Sequence, residues 1–166
     1  MKKIVCVVLL LVCFASYGFA QQTIEYCCKH YYKNGVKMKL EKPKFSYVTF
    51  TDNYNRLYIS DEYGNAIDLD NGRPCVYKFT NTESDYNIYK IDSSLYIKRY
   101  AFGNFYDTPL IQPTYKFSRD LSVYNFVPDP SVPSLFLGIM VYKRVTKAEK
   151  EAILREYEES LPKLLR

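Results

Sequence analysis

Beyond its first twenty residues the chain alternates apolar and polar positions with period two, and turn residues break the pattern about every six to twelve positions as far as residue 145. The first predicted pair is residues 25–32 and 36–40, joined at Lys33-Asn34-Gly35, because Asn-Gly supplies the positive φ angles of a tight hairpin. Residues 45–51 place Phe45 and Tyr47 on one face and Val48 and Phe50 on the other, which predicts a strand covered on both sides. Further strands are predicted at 56–60, 66–69, 75–80, 86–91, 95–102, 114–117, 121–127 and 135–145. Parallel pairing needs connections of about a dozen residues or more, and these links are shorter, so the strands should form an antiparallel meander. The pattern weakens between Gly103 and Pro113, which reads as a surface loop, and the prolines of residues 128–133 mark a linker across an end or edge of the sheet.

The period changes at the C-terminus. Thr146-Lys147-Ala148-Glu149 is a capping box, and Ile153, Leu154, Tyr157 and Leu161 recur at helical spacing among charged residues. The prediction is an amphipathic helix over 147–161, docked on an exposed face or the open end of the sheet. The fold class expected is mainly β: an antiparallel meander sheet or partly closed barrel of about eight to ten short strands, with one C-terminal amphipathic α-helix.

The N-terminus has a different grammar. Lys2 and Lys3 precede an apolar run from Ile4 to Ala15 and a small-residue exit at Ala20 ahead of Gln21, the layout of a cleaved secretory signal peptide. The run is shorter than the roughly 20 residues a membrane-spanning helix needs. The expected organisation is therefore a leader over 1–20 and one β-rich domain over 21–166, exported to the periplasm or the extracellular space, with no transmembrane segment left after removal. The formal charge is +5, two of the cations lie in the leader, and the rest are spread among 18 acids. On that balance the chain is expected to bind neither nucleic acid nor a membrane surface.

Export changes the reading of the cysteines. Those beyond the leader are Cys27, Cys28 and Cys75, and an oxidising compartment allows one bridge with one thiol left over. Adjacent strand residues face opposite ways, so the expected disulfide joins Cys75 to either Cys27 or Cys28. His30 is the sole histidine, and on a regular strand it would share a face with Cys28, a pairing from which a catalytic dyad can be drawn. No nucleophile elbow, phosphate cradle or metalloprotease helix occurs. Asp61, Asp68 and Asp70 form the best oxygen-ligand cluster for calcium, but Asp68-Leu69-Asp70-Asn71-Gly72 departs from the EF-hand loop, so no metal or other cofactor is expected. Glu25 with Glu41, or Asp52 with Asp61, could serve a carboxylate-based hydrolase, and nothing sets them apart from solvated charges.

The chain has 18 tyrosines, 10 phenylalanines and no tryptophan. Tyrosine suits half-buried strand faces, where its ring packs and its hydroxyl reaches water. An up-and-down barrel with a C-terminal helix is similar in layout to the lipocalins. The chain lacks the Gly-x-Trp start of that family, so the similarity is one of architecture. The functional expectation is an exported, non-enzymatic binding or interaction module engaging carbohydrate, peptide or an envelope protein through tyrosine-rich strand faces, with Tyr47, Tyr58, Tyr96 and Tyr100 as candidate contacts. The alternative is a small β-barrel carrier of an apolar ligand.

Overall fold

Asn34 and Gly35 both have positive φ, 51° and 78°, and turn strand β1 (Gln22–Lys33) into β2 (Val36–Thr51) as the dipeptide predicts. The structure, a computed structural model, describes residues 21–67, 69–70, 73–92, 113–128 and 138–161. The expected leader, the strand over 95–102 and most of the two proline-bearing connections lie outside the described residues. After β2 come β3 (Arg56–Ser60), a two-residue pair β4 (Leu69–Asp70) and β5 (Arg73–Pro74), β6 (Tyr77–Glu83), β7 (Tyr86–Ile91), β8 (Thr114–Ser118), β9 (Val123–Val127), β10 (Ile139–Arg144) and helix α1 (Lys147–Ser160). Eight of the strands form one antiparallel ring in the order β1-β10-β9-β8-β7-β6-β3-β2. The sheet closes fully, and every neighbour along it except the closing β1–β10 step is the next large strand in sequence.

Two predicted strands, 36–40 and 45–51, are one. The register on β1 passes from Cys28 opposite Lys44 to His30 opposite Lys39, so β2 carries extra residues in a bulge around Pro43. Proline cannot donate to the ladder, which explains why the interruption falls there.

The barrel interior is filled by rings. Tyr124 stacks on Tyr142 at 4.5 Å and on Phe117 at 4.8 Å, Tyr26 meets Tyr124 edge-on at 4.9 Å, and Phe50 lies 5.4 Å from Phe117. Such contacts add roughly 0.5–1.5 kcal/mol per pair beyond area burial. Tyrosine serves here because its hydroxyl has somewhere to go. Tyr26 donates to the carbonyl of Leu121 and Tyr89 to that of Tyr54, each at 2.8 Å, while Tyr124 and Ser46 share a hydrogen bond of 2.7 Å. Leu121 and Tyr54 are turn residues with φ of 57° and 64°. Core hydroxyls thus tie down strained turns that cap one barrel end.

The thinnest seam is β3–β6, with two paired positions, Arg56 with Lys78 and Leu57 with Tyr77. Asp92, fully buried at the end of β7, lies 3.1 Å from Arg56 Nε and 3.8 Å from Lys78 Nζ, so one carboxylate clamps both strands. The helix starts as predicted, with both hydrogen bonds of the capping box formed at Thr146 and Glu149.

Two outcomes test this architecture. Gly138 has φ of 92°, and a Cβ there would sit 2.2 Å from the Tyr32 carbonyl oxygen in the β1–β10 seam. Gly138→Ala should therefore cost about 2 kcal/mol or more in denaturant unfolding, and an unchanged midpoint would contradict the close approach. Burial raises the phenols of Tyr26 and Tyr124 well above their ordinary value and pushes Tyr89 from 10.0 up to about 12. The folded state holds these protons more tightly than the unfolded chain, so the stability contributed by Tyr89 is full below pH 10 and is lost as the pH rises toward 12. A slow class of tyrosines should ionise together with loss of the β-sheet circular dichroism, and its ionisation with the sheet signal intact would refute this.

Candidate functional site

The barrel has unlike ends. Three turns, around residues 52–55, 84–85 and 119–122, close one of them, with positive φ at Asp52, Asn53, Tyr54, Ser84 and Leu121. From the other end leave the β1–β2 hairpin and the β3–β4, β7–β8 and β9–β10 connections. At that second end lies a cavity of about 450 Å³. Its floor is the aromatic core itself, Tyr115, Tyr124, Phe126, Met140 and Tyr142, with Ile59 beside them. Lys42 and Lys44 of β2 stand on one side of the rim, and Asp61, Glu62, Tyr63 and Ile67 of the β3–β4 connection on the other. Lys44 pairs in register with the inward-facing Cys28, which aims it at the cavity rather than at the outer surface.

Period-two alternation builds the floor. Tyr115 and Phe117, and Met140 and Tyr142, occupy alternate inward positions on their strands; Tyr115, Met140 and Tyr142 line the cavity and Phe117 does not. The result is an apolar pocket with both signs of charge at its lip, suited to a molecule with an apolar body and a polar or charged end.

A second cavity, about 500 Å³, lies between α1 and the outer face of β1 and β10, where Cys27, Lys29, His30, Lys143, Val141 and Ile153 line it. Here the helix is locked to the barrel. Lys150 Nζ is 2.7 Å from Glu25 Oε1, donates to the Tyr47 hydroxyl at 2.7 Å, and sits 5.0 Å from the Phe45 ring and 5.2 Å from that of Tyr47. Lys29 pairs with Glu156 at 3.0 Å further along. The imidazole of His30 is held below its ordinary pKa by desolvation and then by Lys37, Lys39, Lys29 and Lys143. The helix therefore occupies the outer face.

The expected site residues fall as follows. Tyr47 and Tyr58 lie on the outer face of β2 and β3 as diagonal neighbours, since Tyr47 pairs with Ser60 and Thr49 with Tyr58. Each is engaged within the protein, Tyr47 by Lys150 and Tyr58 by the side-chain amide of Gln21, which donates to its hydroxyl. Tyr96 and Tyr100 lie outside the described residues. Asp61 spends its carboxylate on its own turn: Oδ1 accepts from the backbone N–H of Tyr63 and Asn65 and Oδ2 from the Asn65 side chain, at 2.8–3.2 Å. Desolvation pulls its pKa upward, and these hydrogen bonds outweigh that and lower it. Asp68 lies outside the described residues, and only the backbone of Asp70 is described.

The disulfide is a correction. Cys27, Cys28 and Cys75 are all buried thiols, and no bridge joins them. Cys27 faces outward under the helix, whereas Cys28 and Cys75 belong to the interior. Cys28 lies on β1 and Cys75 just ahead of β6, strands that are not neighbours in the ring. The Cys28–His30 dyad also fails. The bulge between these residues shifts the strand parity, so Cys28 points into the core and donates to the His30 carbonyl at 3.0 Å, while the imidazole lines the outer cavity.

The sequence reading missed Tyr115, Tyr124, Phe126, Met140, Tyr142 and the lysines at 42 and 44 as a group. The inward set was visible strand by strand as alternate aromatics, and closure of the ring is what assembles it. Comparison of the chain with protein-family models, with curated proteins and with solved structures finds no match to any.

Burial pushes the thiols of Cys27 and Cys28 up to about 11 each. At pH 8 only about one in a thousand of either is thiolate, so both should alkylate slowly in the native protein. Denatured without reductant, the chain from Gln21 to Arg166 should take up three adducts by intact mass. A single adduct would restore the disulfide.

Proposed function

We propose that this chain is an exported, non-enzymatic binding protein that holds a small amphipathic ligand in the mouth of its barrel. The observation that carries this reading is the 450 Å³ cavity over the packed aromatic core, with an aromatic and methionine floor and a charged lip. Its volume falls within the range of about 300–1,000 Å³ typical of small-molecule sites. Planar rings and a flexible thioether accept apolar groups of varied shape, and Met140 adapts where the tyrosines cannot. Lys42 and Lys44 would meet an anionic or strongly polar end. The N-terminal layout of residues 1–20 supports export, and the carrier reading draws on the inner tyrosines because Tyr47 and Tyr58 are engaged within the fold.

A fluorescent probe of matching chemistry is a dansylated undecanoic acid, titrated into the chain from Gln21 to Arg166 and read by emission enhancement. Ile67→Trp fills the rim from an exposed position, and Lys44→Glu reverses the charge at the lip. Each variant should weaken binding about tenfold, or ~1.4 kcal/mol, with an unchanged thermal unfolding midpoint. Dansylamide, which lacks the chain and the carboxylate, should bind more weakly still. Equal affinity of the wild type and both variants, or no enhancement with the wild type, would refute the site.

A further inference from the structure

The β1–β2 hairpin does more than close the ring. β2 pairs with β3 only from Tyr47 to Thr51, so its stretch from Val36 to Ser46 has no strand on its β3 side among the described residues. The tip therefore projects past the rim as an arm, flanked on one side by the start of β10, where Tyr32 pairs with Ile139. Four of the large apolar side chains exposed on the protein are gathered here: Tyr32 at 37%, Val36 at 61%, Met38 at 42% and Ile139 at 40%. The register alternates them. Tyr32, Lys37 and Ile139 share one row on the outer face, His30, Lys39 and Val141 the next, and Val36 and Met38 lie on the opposite face of the same tip.

Charge is equally segregated. Between Tyr26 and Leu40 the chain has four lysines and no acid, and the fold adds Lys143 across from Cys27. Lys29 is answered by Glu156, whereas Lys33, Lys37, Lys39 and Lys143 have no ion pair among the described residues. These cations are near enough to one another that Lys37, Lys39, Lys29 and Lys143 all act on His30. The even spread of charge along the sequence thus conceals a cationic arm in three dimensions.

We propose that this arm docks the protein on an anionic lipid surface, with Tyr32, Val36, Met38 and Ile139 entering the headgroup boundary and the lysines meeting lipid phosphates. Lysine is suited to the task, because its aliphatic stem lies along apolar surface while the ammonium reaches the headgroups. A polynucleotide would be met by polar and arginine side chains, and residues 21–50 contain no arginine. The apolar groups between the lysines are unsuited to a nucleic acid and suited to a bilayer interface, where a convex tip can be immersed without a complementary groove.

Vesicle co-sedimentation of the chain from Gln21 to Arg166 tests this, using phosphatidylcholine alone and phosphatidylcholine with about 30% phosphatidylglycerol, a content that gives the surface a negative potential. The wild type should sediment with the second and not the first. Lys37→Glu with Lys39→Glu should lower partitioning at least tenfold, and Val36→Ser with Met38→Ser should lower it severalfold at unchanged charge. A control carrying Lys90→Glu and Lys147→Glu, both exposed and away from the arm, should bind within about twofold of the wild type. All variants should keep the wild-type melting temperature and the affinity for the dansylated fatty acid, which separates this surface from the barrel mouth. The proposal is overturned if the wild type ignores the anionic vesicles, if the control loses as much as the arm variant, if the apolar pair has no effect, or if the protein binds heparin but not the vesicles.

Discussion

Antiparallel pairing of β1 with β10 is the constraint on which the rest of this structure depends. It joins the first strand of the domain to the last and turns a meander of hairpins into a closed ring. Only because the ring is closed do Tyr26 from β1, Phe50 from β2 and Tyr142 from β10 meet Tyr124 and Phe117 in one interior. The same seam brings Gly138 against the Tyr32 carbonyl, an approach that no side-chain-bearing residue could make. It also sets the chain leaving β10 beside β1, so that α1 begins where Glu25 and Tyr47 can take Lys150.

Irregularities in that seam assign the surfaces. The bulge between Cys28 and His30 reverses strand parity midway along β1. Below it Cys28 completes the core, and above it His30 and Tyr32 turn outward among lysines. The bulge around Pro43 lets β2 carry on past the last residue of β3, which creates both the lysine-lined side of the mouth and the projecting hairpin. The proposed ligand site and the proposed lipid-facing arm are thus neighbours for a structural reason: both are built on the part of β2 that outruns its partner.

Polar groups are placed where closure would otherwise be weakest. The Asp92 carboxylate between Arg56 and Lys78 reinforces a seam with two paired positions, and its full burial makes those partners necessary. The tyrosine hydroxyls at Leu121 and Tyr54 occupy carbonyls of turns in positive φ, so rings that fill the core also hold the closed end of the barrel. At Ser46 the Tyr124 hydroxyl can either donate or accept, a choice that an indole N–H does not have.

Local chemistry alone determined the elements. Asn34-Gly35 fixed the first turn, Thr146 and Glu149 fixed the start of the helix, and period two fixed which side chains of β7, β8 and β9 share a face, because these depend on residues within a few positions of one another. The antiparallel meander followed from short connections. What the tertiary structure decided is everything that depends on parity across a bulge or on position around the ring: that no bridge joins Cys28 and Cys75, that Cys28 and His30 look opposite ways, that the 36–40 and 45–51 segments are one strand, and that aromatics from three strands form one floor. A one-residue slip inverts a strand's faces, and no local pattern records where closure will place it. The lysines between 29 and 39 were legible as charges, while their concentration on one projecting tip with exposed apolar neighbours arose from the register of three strands.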